Sequence, residues 1–109
     1  MPKTGPATIM FPKYGYSYAV RGGPDIDQLV AAWKDPKATV TFTLLGDEDD
    51  MQITADLEVK VNSLQPIDAD RTLFAIGGEV IHEDGRDERI TIRSYNPATG
   101  NGERAATSQ

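Results

Sequence analysis

The chain has no cysteine among its 109 residues. Disulfides, thiol nucleophiles and zinc–thiolate sites are therefore excluded, and a cytoplasmic location is the expectation. It has one histidine, His82, which removes the multi-histidine metal centres. No apolar run approaches the ~18 residues of a membrane span. Met1 to Pro6 carry no apolar stretch of the kind a signal peptide needs, so no membrane partner is expected. Phosphate-cradling glycine motifs are missing too. Gly77-Gly78 has neither the lysine of a P-loop nor the three-glycine spacing of a dinucleotide site. Ser17, Ser63 and Ser94 lack the glycines on both sides that a nucleophile elbow requires. No cofactor is expected.

Basic residues are few. Lys and Arg number 11 against 17 Asp and Glu, for a net charge of -6. Residues 1–24 carry Lys3, Lys13 and Arg21 and no acid, so the acidic charge belongs to the remainder. An acidic body repels nucleic acid and anionic membrane. Its net charge serves solubility.

The alternation from Ala38 to Asn62 organises the rest. Met51, Ile53, Ala55, Leu57, Val59 and Val61 share one parity, and Gln52, Thr54, Asp56, Glu58, Lys60 and Asn62 the other. Strand side chains alternate between faces, so this predicts a sheet with one dry and one wet face. Ala38, Val40, Phe42 and Leu44 continue the dry face before the acidic break at Gly46 to Asp50. The two halves read as one long antiparallel hairpin. Before it, the spacing of Ile26, Leu29, Val30 and Trp33 predicts a helix of about three turns with Trp33 as main anchor. Pro24 suits its first turn, and Asp25 and Asp27 its positive end. Ala7 to Met10 and Lys13 to Arg21 read as strands ahead of the helix.

Leu64 to Asp70 reads as a loop, and Leu73 to Ile76 as a strand covered on both faces. Glu79 to Tyr95 reads as a hairpin around Asp84-Gly85. A three-residue loop with Gly85 in the left-handed bulge position pairs His82 with Arg86, Glu79 with Arg89, Gly78 with Ile90 and Ile76 with Ile92. This register keeps apolar residues together and is preferred. Residues 1–95 are expected to form one domain. Residues 96–109 have little apolar bulk and are expected to be a disordered tail.

Candidate sites follow from residue chemistry. The acids Asp47 to Asp50 invite a calcium reading, but Met51 and Gln52 stand where the pattern needs an acid and a glycine, so no metal site is expected. His82, with Glu83, Asp84 and Asp87 nearby in sequence, could form a histidine–carboxylate base. Its place near a hairpin tip favours a solvent-facing strand histidine. Asp56, Gly77, Gly78 and His82 are the residues to inspect for a ligand pocket between the helix and a curved sheet. The sharpest feature is the tyrosine row Tyr14, Tyr16 and Tyr18, bracketed by Lys13 and Arg21. Tyrosine combines apolar area with a polar tip and is enriched at interfaces. Bases also stack on such rows, but two or three cations are too few for strong phosphate binding.

The expected fold is α+β. A single twisted, mainly antiparallel sheet of five or six strands, in the order β-β-α-β-β-β-β, carries one short helix on its apolar face. The expected function is a small non-catalytic interaction or assembly module. It would meet a protein partner, or another copy of itself, through Lys13, Tyr14, Tyr16, Tyr18 and Arg21. A small-ligand binder or enzyme is the alternative, and nucleic-acid binding the third possibility. Substrate, partner and process have no signature in the residues.

Overall fold

The computed structural model describes residues 17–48, 51–85 and 87–108. Its elements are β1 (Ser17–Arg21), α1 (Ile26–Lys34), β2 (Val40–Glu48), β3 (Met51–Pro66), β4 (Phe74–Val80), β5 (Arg89–Asn96) and β6 (Asn101–Ser108). The six strands pair antiparallel in sequence order, and β1 pairs with β6 to close a barrel. The open sheet with a helix on one face is therefore overturned. Closure removes both sheet edges along the seam. The expected strand at Ala7 to Met10 lies outside the described residues.

The β2–β3 ladder runs unbroken from Val40↔Val59 to Glu48↔Met51. This is the pairing the alternation predicts, with Phe42, Leu44, Val59 and Val61 buried in the core. β3 then continues through the stretch read as a loop, as far as Pro66. A bulge lies between Val61 and Ser63, where β3 spends an extra residue opposite Gly78-Gly77. The inward set shifts from Val59 and Val61 to Leu64. β4 makes room for this kink with its two glycines. A Cβ on Gly78 would stand 2.5 Å from the Lys60 carbonyl oxygen, and one on Gly77 2.7 Å from Ser63 Oγ. What approaches this backbone is β3 itself.

β4 and β5 pair in the expected register, with Ile76↔Ile92, Gly78↔Ile90 and Glu79↔Arg89. Gly85 takes φ +79 in the turn, the left-handed position the bulged loop needs. The proposed His82–Arg86 pair lies outside the described residues. Farther along, β5 bulges against β4 between Ile92 and Tyr95, and Ser94 sits there at φ 56. The matching irregularity on β6 falls against β1, between Tyr18 and Val20. The β5–β6 ladder itself stays in register, so the two strands bend together. Both bulges re-aim side chains: Ile90 and Ile92 are followed inward by Tyr95, and Thr107 and Ala105 by Gly102.

β6 occupies the segment read as a tail. Its inward residues are small because the interior is already full there. A Cβ on Gly102 would lie 3.1 Å from Val20 Cβ. Tyr95 fills the centre, edge-on to Phe42 at 5.3 Å between ring centroids.

α1 follows β1 and leans on β2 and β3. Asp25 caps it, so Pro24 stands just before the helix and not in its first turn. The Asp25 carboxylate accepts from the Gln28 N–H at 2.8 Å, and the Gln28 side chain accepts from the Asp25 N–H at 3.0 Å, a capping box. The helix buries Leu29 and Ala32 rather than the expected four-residue stripe, and Trp33 is 46% exposed. Lys60 from β3 donates to the Ala32 carbonyl at 2.9 Å, which places a cation at the negative end of the helix dipole. The Tyr95 hydroxyl donates to the Pro24 carbonyl at 2.7 Å and ties the helix entrance to the barrel interior.

Candidate functional site

Val80 N–H donates to the Glu88 carbonyl at 2.8 Å, extending the β4–β5 ladder by one pair. Inward parity therefore passes from Val80 to His82 on one side and from Ile90 to Glu88 on the other. The two side chains meet diagonally, with His82 Nε2 2.5 Å from Glu88 Oε1. Glu88 is buried at 4% exposure, and the His82 side chain keeps 17%. His82 is thus on the inner face, not solvent-facing, and the carboxylate beside it is Glu88. The same register brings Thr107, opposite Ile90, onto this face, where its hydroxyl is buried with no hydrogen-bond partner. A shallow cavity of about 320 Å³ touches Glu88 together with Glu79, Asp87 and Arg89. A buried carboxyl group needs a hydrogen-bond partner, and the His82 ring supplies it, which fastens the mouth of the hairpin.

The other ligand-binding candidates do not join His82. Asp56 lies on the wet face of β3 and accepts from Thr43 Oγ1 at 2.6 Å. Its neighbour Glu58 accepts from Thr39 Oγ1 at 2.7 Å. Gly77 and Gly78 are pressed against β3. None of the four lines the groove between α1 and the start of β2, a space of about 540 Å³ bounded by Gln28, Ala31, Ala32, Ala38, Thr39 and Val40 among others. A second space of about 320 Å³ opens at the start of α1, over Ile26, Phe74 and Pro97, with Arg71 and Asp25 at its rim.

Of the tyrosine stretch, Lys13, Tyr14 and Tyr16 lie outside the described residues. Tyr18 is 8% exposed and belongs to the core, and Arg21 is exposed at the end of β1. Among the described residues no group of three or more His, Asp or Glu is placed to hold a metal ion.

The β2–β3 hairpin reaches beyond its neighbours. β3 has 16 residues, while β4 has 7 and ends opposite Val59. One more bond, from Ile81 N–H to the Glu58 carbonyl at 2.8 Å, finishes the ladder. From Leu57 back to Met51, no described strand pairs with the edge of β3 that faces away from β2. In a strand, the N–H and C=O of one residue point the same way and alternate along the chain. Since the Glu58 carbonyl points to this edge, so do the main-chain groups of Asp56, Thr54 and Gln52. Ile53, Ala55 and Leu57 on the dry face are half-buried, and Ile81 beside the edge is 46% exposed. The mismatch in length was visible in the sequence, where alternation over residues 51–62 outruns the next apolar strand.

Comparison with protein-family models, curated proteins and solved structures finds no match to this chain. No helix among the described residues is long and apolar enough to cross a membrane.

Proposed function

We propose that this chain is a non-catalytic interaction module that takes a partner strand onto the free edge of β3. The reading is carried by that edge. A row of main-chain donors and acceptors left unpaired by the described residues, on an otherwise closed barrel, is a template for an added strand. The filled interior supports it: Phe42, Leu44, Ile76, Ile92 and Tyr95 are fully buried, so the barrel is a rigid holder of the arm. Tyr18 belongs to the core, and the arm carries the proposed contact.

Replacing Gly46–Ile53 by an Asn-Gly turn shortens the arm and leaves the β1 pairs at Leu44 and Leu45 intact. Native sedimentation of the full chain, both purified and in an extract of its source cell, should give a mass above the 11.9 kDa monomer in at least one case. The shortened variant should sediment as a monomer in both. A full chain that stays monomeric in both settings overturns the reading.

The groove between α1 and β2 supports a second reading, a small-ligand binder. Its volume falls in the ordinary range of ligand sites. A fragment library observed by protein NMR should then shift the amides of Ala31, Ala32 and Thr39. Unchanged spectra remove this reading.

A further inference from the structure

Resting on the interaction reading, we infer that the strand added to β3 is β3 of a second copy, paired antiparallel about a twofold axis through Thr54. Among the described residues, the main-chain groups left without a strand partner on this edge belong to Gln52, Thr54 and Asp56, three positions symmetric about Thr54. An antiparallel pair centred there sets Thr54 opposite Thr54 and Gln52 opposite Asp56, all as hydrogen-bonded pairs, with on the order of six main-chain bonds. On the dry face Ile53 meets Ala55. On the wet face the Gln52 amide meets the Asp56 carboxylate, and a threonine meets a threonine. No like charges stand opposite each other within these five residues, although the chain as a whole carries -6. A shift of two residues would set Gln52 opposite Thr54 and leave an outer donor row unused. A one-residue shift would put dry residues against wet ones. The edge is therefore self-complementary in one register. The threonine at the axis carries no charge, and like charges there would block the pairing.

A twofold pair uses the same patch on both copies and closes on itself, so the product is a dimer and not a fibre. The barrels stand at opposite ends of a shared four-stranded ribbon made of two β2–β3 hairpins. Long-range repulsion between the acidic bodies opposes the pairing and is screened by salt.

Light scattering of the purified chain should give twice 11.9 kDa, with the dimer fraction rising as salt is added. Because the chain has no cysteine, Thr54→Cys introduces a single thiol that faces its own copy across the axis. A short bis-maleimide should lock nearly all of it as a covalent dimer, because the Cβ atoms of a hydrogen-bonded pair stand about 5.5 Å apart, wider than a disulfide spans. Thr41→Cys, exposed on the same wet face but opposite Glu58 within the barrel, should not lock. Thr54→Lys should give a folded monomer, with its fold checked by circular dichroism. A dimer that survives Thr54→Lys and does not lock at position 54 overturns the twofold pair but leaves the interaction reading standing. A purified monomer whose Thr54 and Asp56 amides become protected from exchange only when another protein is added does the same.

Discussion

Single residues set the chemistry of this interior. Burial, with the Asp25 carboxylate adding to it, pushes the Tyr95 phenol up to about 12. The folded protein thus holds this proton more tightly than the unfolded chain, whose phenol titrates near 10. The stabilising difference is fully present below pH 10 and is lost as pH rises towards 12. Urea titrations should therefore show roughly 2 kcal/mol of stability lost over that window. Tyr95→Phe should remove that alkaline loss and cost about 1 kcal/mol at pH 7 through the bond to Pro24. An alkaline limb equally steep in the variant would assign it to another group. Thr107 offers the opposite sign. Its hydroxyl is buried without a partner, so the isosteric Thr107→Val should raise stability by about 1 kcal/mol, read as a higher melting temperature. His82→Ala, which leaves the Glu88 carboxylate without its imidazole, should cost about 2 kcal/mol or more; a loss near zero would mean that water replaces the ring.

Among the elements, the helix separates size from position. Trp33 is its largest residue, and the periodicity that includes it is genuine. Yet Leu29 is fully buried while Trp33 is 46% exposed. Leu29→Ala should cost about 3 kcal/mol and Trp33→Ala less than about 1, a contrast measurable by chemical denaturation. The reverse order would restore Trp33 as the anchor. The hairpins were far more legible. Alternation fixed β2 against β3, and the left-handed Gly85 with clustered apolar pairs fixed β4 against β5. The same register already carried His82 and Glu88 onto the dry face. It passed unnoticed because a carboxylate has no weight in an apolar pattern. The strand continuing to Pro66 and the inward turn of Tyr95 were hidden for another reason. Each follows a bulge, and one extra residue inverts a period-two pattern. Ser94, non-glycine at φ 56, has no composition signal at all.

At the scale of the whole molecule, closure was the illegible step. β6 reads as a tail because Gly102 and Ala105 contribute so little apolar area, and they are small because Val20, Ile92 and Tyr95 occupy the space they face. A chain shortened at Asn96 should lose cooperative unfolding altogether, since β1 and β5 would each be left with an open edge. Sharp, near-native melting of that truncation would mean that the barrel stands without its sixth strand.

The β1–β6 seam also governs how the molecule is made. It joins residues from opposite ends of the described chain, so the loop it closes is nearly the whole domain. Loop-closure entropy must be met before any of that pairing is rewarded. Barrels dominated by such distant pairings fold in milliseconds to seconds, slowly for their size. On a ribosome β1 emerges early, finds β2 and then waits for β6. In that interval the nascent sheet shows unpaired strands at both sides.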